Sequence, residues 1–398
     1  MSARPLREIT VVDLSRLLPG PLAAHLLADL GARVIKVEEP RLGDPVRYAP
    51  PPVEGTSALA ALLLSGVESI ALDLKLPAGL EVLERLLERA DVLLDTFRPG
   101  TLARLLKATP EELTERHPRL IQCSLSGWGA AGPHAPRAGH DLTYQALAGT
   151  LAAIEGTAAA PSVPVADLLG AWSAVASILA ALVERQRTGR GTVIDASIFD
   201  AAVHANLTSW AEEAGGSREV GEALPLTGEL PGYRLYRTAD HRWVALAALE
   251  PHFWKRFCLA VNRKDLIRKH LASDAETRRQ LADLFRTRTR DEWQRLFAAE
   301  DLPAEPVLSA AEARKHPQTV ERELLFEEDG LLRLAFPARL DGARPRARRR
   351  FPKLGEHTDS LLAELGLDSG LRARIRRGPG VGKRFSVRRW LSGWVGGE

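Results

Sequence analysis

Gly139-His140-Asp141 follows a Pro/Gly-rich loop and precedes a run with helical apolar spacing, so a histidine, a carboxylate and free backbone amides fall at one helix start. Together such groups can supply a base, a nucleophile and a site for a developing oxyanion. Capping explains the same residues, because an Asp at a helix start is often an N-cap and a neighbouring His a polar loop residue. Asp167, after Pro161-Ser-Val-Pro164, opens the next long helix and is open to the same explanation. The residues alone leave both readings standing.

Other motifs fail on context. Gly127-Trp-Gly-Ala-Ala-Gly132 matches the dinucleotide fingerprint and follows a predicted strand. That fingerprint needs a helix whose first amides face the pyrophosphate, and Pro133-His-Ala-Pro136 follows instead. Gly380-Val-Gly-Lys383 lacks the upstream Gly of a P-loop and carries Arg384 where Ser or Thr would meet magnesium. There is no Gly-x-Ser-x-Gly elbow and no His-Glu-x-x-His zinc helix. Cys123 and Cys258 have neither metal-ligand spacing nor the number for a disulfide framework, so no metal is expected.

The elements that would position these residues alternate. Strands are expected over 9–14, 33–38, 69–74, 91–95, 120–125 and 192–197, and helices over 19–30, 78–90, 110–117, 141–155 and 167–187. Such alternation predicts an α/β fold, a parallel sheet covered on both faces. A composition shift at 214–221 reads as a linker, 233–237 and 242–247 as a hairpin, and 251–300 as helical.

The formal net charge of +3 conceals an asymmetry: residues 371–398 carry about +7, which leaves about −4 for the rest. With Arg344-Pro-Arg-Ala-Arg-Arg-Arg350, this tail has the charge to touch nucleic acid or anionic lipid, but a solvated, partly disordered extension is the preferred reading. No run approaches the roughly 18 apolar residues of a membrane helix, and the N-terminus lacks an apolar signal core. A cytoplasmic protein without a membrane span is expected.

An ordered set of motifs carries a resemblance over nearly the whole chain to about residue 370. Val12-Asp-Leu-Ser15, Pro19-Gly-Pro21, Asp29-Leu-Gly-Ala-Arg-Val-Ile-Lys-Val-Glu38, Leu72-Asp-Leu-Lys75, Phe97-Arg-Pro-Gly100 and Gly355-Glu-His-Thr358 resemble the class III CoA-transferase family. Ser126-Gly-Trp-Gly129, Ala138 to Tyr144, Val165-Ala-Asp167 and Leu249-Glu-Pro-His-Phe253 look most like its 2-methylacyl-CoA racemase branch. The resemblance implies that His140 and Asp167 are acid/base residues and that Glu250 supports the His. In the transferase branch it implies Asp141 as nucleophile.

Racemisation removes a proton alpha to a thioester from one face and returns one to the other, so it needs two bases flanking a planar enolate. Transfer needs a carboxylate that attacks the thioester, forms an anhydride and then carries CoA as an enzyme thioester. A non-catalytic acyl-CoA-binding paralogue is the third reading. For CoA, which enters as part of an acyl-CoA substrate and not as a bound cofactor, the resemblance implies Leu18, Pro19, Leu72, Lys75, Phe97 and Arg104. Glu39 stands where the family often has Arg, and Gly66-Val-Glu68 replaces a cationic stretch, changes expected to weaken CoA binding.

The expected organisation is a Rossmann-like large domain over 1–200 completed by about 325–370, a linker over 201–224 and a smaller α+β domain over 225–320. The resemblance further implies an interlocked homodimer, in which Glu250 would act across the subunit boundary.

Overall fold

The computed structural model describes residues 4–53, 55–151, 161–216, 226, 228–272, 274–347, 350–367, 370–371 and 375. The chain divides into two compact units, one formed by 1–205 with 318–398, the other by 206–317.

The strands of the first unit up to residue 205 are β1 (Thr10–Asp13), β2 (Arg33–Glu38), β3 (Pro52–Val53), β4 (Thr56–Ser57), β5 (Val67–Ala71), β6 (Val92–Asp95), β7 (Ile121–Ser126) and β8 (Val193–Ser197). Between and after them run α1 (Pro19–Asp29), α2 (Ala58–Leu63), α3 (Pro77–Leu87), α4 (Thr101–Leu106), α5 (Pro110–Arg116), α6 (Asp141–Leu147), α7 (Val165–Thr188) and α8 (Ile198–Ala205). Six strands form a parallel sheet in the order β5-β2-β1-β6-β7-β8. Successive strand residues point to opposite faces, and both faces are buried. Val11 joins Leu26, Leu27, Ala174 and Ile178 in one core, whereas Val12 joins Val82, Leu83, Leu86 and Leu362 in the other. Both cores bury branched apolar side chains, so the sheet lies between two layers of helix as the alternation predicts.

Three expectations need correction. The strand expected at 69–74 is β5 at 67–71, because Leu72 leaves the ladder after donating to the Glu38 carbonyl at 2.9 Å. The helix expected over 141–155 stops at Leu147, where Gly149 takes φ +72°, a left-handed conformation that ends helices. Residues 152–160 lie outside the described residues. The third correction concerns α7, whose 24 residues have a mean hydropathy of 1.8 over their most apolar window and would suffice by length and composition to cross a membrane. The helix expected over 167–187 has nearly that length, but small and polar residues such as Gly170 and Ser173 interrupt its apolar run. The helix buries Gly170, Ala174, Val175, Ile178 and Ala181 in the core, and its buried Arg185 pairs with Asp91 at 2.8 Å. It packs one face into the core of this unit, while Trp172 and Val183 are exposed.

The second unit contains α9 (Leu207–Ala214), β9 (Tyr233–Arg237), β10 (Trp243–Ala247), α10 (Pro251–Ala260), α11 (Ala275–Phe285), α12 (Arg290–Ala299), β11 (Ala304–Pro306) and α13 (Ala310–Lys315). β9 and β10 form the expected hairpin, and β11 adds antiparallel to β10. Trp254, Phe257, Phe285 and Trp293 fill its core, with Phe257 stacked on Phe285 at 5.8 Å. The chain then returns through α14 (Pro317–Arg322) and rejoins the first unit with β12 (Leu325–Glu328), β13 (Leu331–Leu334) and α15 (Thr358–Glu364). There His357 donates its backbone N–H to Ser69 and Ala347 donates to the buried Asp29. Most of the basic tail and part of the 214–221 linker fall outside the described residues.

Candidate active site

In parallel sheets the carboxyl ends of the strands open onto a crevice where ligands bind. Here that edge carries Arg16 and Leu17 after β1, Thr96, Phe97 and Arg98 after β6, Gly127 after β7 and Ile198 after β8. With Pro19, Pro45, Thr101, Leu125, Gly139, His140, Tyr144 and Asp167 they line a cleft of about 790 Å³. A smaller cavity of about 170 Å³ shares Phe97 and Arg98 with it, and there burial pushes the Asp95 carboxyl up to about 6.

His140 is the extended N-cap residue of α6, exposed at the cleft. Its backbone is pinned by Thr143, whose hydroxyl accepts from the His140 N–H at 3.0 Å and donates to its carbonyl at 2.7 Å. The loop leading to it is moulded around Tyr144. A Cβ on Gly127 would lie 2.1 Å from the phenol oxygen, and one on Gly139 2.5 Å from the ring. Trp128 meets the same ring edge-on at 4.7 Å. Glycine at 127 and 139 is thus required by close approach, with no dinucleotide helix following.

Asp141 and Asp167 are placed differently, in a way their sequence positions conceal. Asp167 is the third residue of α7 and not its cap. The cap is Asp141, 25 and 26 residues earlier, whose Oδ1 accepts from the N–H groups of Ala166 at 2.8 Å and Asp167 at 3.2 Å. Its Oδ2 accepts from Gln145 at 2.6 Å. Both Asp141 oxygens are engaged and Asp141 is not among the described residues lining the cleft, whereas Asp167 lines it. Burial, assisted by the nearby Asp141 charge, pushes the Asp167 carboxyl up from 3.8 to about 6. Burial and the Asp167 charge push the Tyr144 phenol up to about 12, so it stays neutral at physiological pH.

Of the positions expected to meet CoA, Pro19 and Phe97 line the cleft. Leu18 is the half-buried N-cap residue of α1, and Leu72 is buried in the second core. Lys75 is exposed on the loop after β5, and Arg104 lies on α4, reaching Thr101, itself a lining residue, at 3.3 Å. Glu250 belongs to the second unit, where it is the exposed N-cap residue of α10. Arg16 and Arg98, cations on the cleft wall, were missed. The signal was available, since both follow a strand of a parallel sheet by three residues.

The acidic substitutions have structural partners. Glu68, near the amino end of β5 and so away from the cleft edge, is 4% exposed and receives a bidentate contact from Arg33 at 2.9 and 3.1 Å. Glu39 accepts the N–H groups of Arg41 and Leu42 at 3.0 and 2.8 Å. Glu68 thus shares Arg33 with Glu364, at the end of β5 away from the cleft.

Among the described residues no cluster of His, Cys, Asp and Glu suits a metal ion. Compared with known proteins, residues 6–358 match the profile of CoA-transferase family III. The chain belongs to CoA-transferase family III. This family III chain is 36% identical to the human alpha-methylacyl-CoA racemase over 91% of its own length and 93% of the racemase. It is 30% identical to the acetyl-CoA:oxalate CoA-transferase of Acetobacter aceti, over 90% and 95% of the two chains. Among solved structures, a CAIB/BAIF family protein from Brucella suis superposes with a TM-score of 0.79 at 29% identity, covering 92% of this chain and 100% of that one. The family III protein is thus an acyl-CoA enzyme with the Rossmann-like α/β architecture of its relatives.

Proposed function

We propose that the protein racemises or epimerises a 2-methylacyl-CoA by two-base proton transfer between His140 and Asp167. The observation that carries this reading is that one cleft is lined by a histidine and by a carboxyl whose pKa of about 6 keeps both protonation states accessible near neutrality, while the neighbouring Asp141 is occupied as a helix cap. In one direction neutral His140 removes the alpha proton and protonated Asp167 delivers one to the opposite face; the reverse direction exchanges the roles. Glu250 supports His140 in this reading, and a homodimer would bring it there. Incubation of each 2-methylacyl-CoA epimer in deuterated water tests the reading: alpha-hydrogen exchange is expected for both in the parent, and in His140→Ala it is lost for the epimer whose alpha hydrogen faces His140.

Similarity to the acetyl-CoA:oxalate CoA-transferase supports CoA transfer as the second reading. The expected nucleophile for it is Asp141, but the engaged oxygens of that residue favour Asp167, the carboxylate on the cleft wall, as the group that would form the anhydride and then the CoA thioester. An adduct sensitive to hydroxylamine, without alpha exchange, would establish transfer; its loss in Asp167→Asn or in Asp141→Asn names the nucleophile.

A further inference from the structure

The turn between β1 and α1 is held far more tightly than a surface connection requires. Three successive backbone N–H groups each donate to a side chain: Ser15 to Asp13 at 2.8 Å, Arg16 to Thr96 at 2.9 Å and Leu17 to Asp44 at 3.0 Å. The Ser15 carbonyl accepts from Lys36 at 2.8 Å. Lys36 is wholly buried and pairs with both Asp13 and Asp44 at 3.1 Å, so one ammonium ties together two of the three side chains that hold the turn. Leu17 is held at φ +68°, a conformation that L residues rarely adopt, and its side chain is 45% exposed. A strained residue persists where its surroundings over-determine it, which is the pattern of a functional constraint. The turn also bears Arg16 over the face of Phe97 at 5.7 Å, both on the cleft wall. A Cβ on Gly20 would lie 2.2 Å from Ser15, so α1 begins directly against the turn.

We propose that Lys36, Asp13 and Asp44 form a buried positioning centre that holds the Arg16-Leu17 turn in strained geometry and thereby presents Arg16 to the anionic part of the thioester substrate. None of the three is a catalytic residue; they act through the turn. The proposal rests on the acyl-CoA reading of the cleft, and free coenzyme A is the probe that separates the two. Calorimetric titration of the full-length chain and of Asp44→Ala and Asp44→Asn, with thermal unfolding followed in parallel, tests it. Both substitutions remove the ion pair with Lys36, but the Asn amide oxygen still accepts from the Leu17 N–H. Expected is about a tenfold loss of CoA affinity in Asp44→Ala, a size ordinary for a misplaced binding group, with most of it restored in Asp44→Asn. Equal losses in the two variants, in step with their loss of stability, would overturn the proposal, as would unchanged affinity in both.

Should Asp44→Ala fail to fold, Leu17→Gly and Leu17→Ala take its place. Both remove the side chain, but glycine adopts φ near +68° without strain, whereas alanine keeps the strain that the buried centre must hold. Weaker CoA binding in Leu17→Ala than in Leu17→Gly supports positioning by the left-handed turn, and equal binding overturns it. If the parent chain binds no CoA, the acyl-CoA reading fails and takes this proposal with it.

Discussion

Replacing Asp167 by Asn should make the protein more stable at neutral pH and much less so in acid. The carboxyl is raised from 3.8 to about 6 by burial and by the Asp141 charge, a rise of about two pH units, or roughly 3 kcal/mol at 1.36 kcal/mol per unit. The sign follows from proton uptake. Between pH 3.8 and about 6 the folded state binds more protons at this site than the unfolded state does, so its contribution to stability falls as pH rises through that window. Above it the full cost of holding a charged carboxylate there is present; well below it the cost vanishes. The stabilisation of Asp167→Asn over the parent should therefore be roughly 2 to 3 kcal/mol larger at pH 7.5 than at pH 4. Differences between an amide and a neutral carboxyl are independent of pH and cancel. Asp29 and Asp95, also raised to about 6, are common to both proteins and cancel as well. Calorimetric unfolding of both proteins at the two pH values measures the quantity. A gain that is the same at both, or a loss that grows towards pH 7.5, would refute the claim that this carboxyl is held against its charge.

Three other changes probe the same construction. Gly127→Ala drives a Cβ into the Tyr144 phenol and should lower the unfolding midpoint, with an overpacking cost of about 1–3 kcal/mol, and cut kcat/KM at least about tenfold in a standard turnover assay. Asp141→Asn removes the charge that helps raise Asp167, so in the direction where Asp167 must be ionised to act as base, the acid limb of the kcat/KM profile should move to lower pH. Glu68→Gln leaves Arg33 with Glu364 alone and should cost about 1–3 kcal/mol in thermal unfolding while CoA affinity, read by titration, stays within about twofold of the parent.

Local chemistry explains which parts of this structure the sequence disclosed. Pro19 at the first position of α1 and Gly31 just beyond its end punctuate one helix, and strand β2 occupies the expected 33–38 because its apolar run lies on a sheet buried on both faces. The Gly139-His140-Asp141 motif was visible as a helix start, and its helix does begin there. What pairwise spacing could not disclose was the division of labour between Asp141 and Asp167. An Asp capping a helix that begins 24 residues later requires the fold to bring the two segments together. Leu17 has no local reason for a left-handed backbone; its N–H donates to Asp44, which Lys36 pairs from elsewhere in the chain. Glu68 looked like an acid near a phosphate site because its strand neighbours the CoA motif in sequence, while the sheet places it towards the opposite edge.

The two-base reading stands or falls on the stereochemical fate of a single epimer. One pure 2-methylacyl-CoA epimer, incubated with the parent chain in deuterated water, should take up alpha deuterium and approach about equal proportions of the two epimers. With Asp167→Asn or His140→Ala, interconversion should cease. Retention of the starting epimer without deuterium by the parent chain, while CoA passes to an added carboxylic acid, would contradict the account.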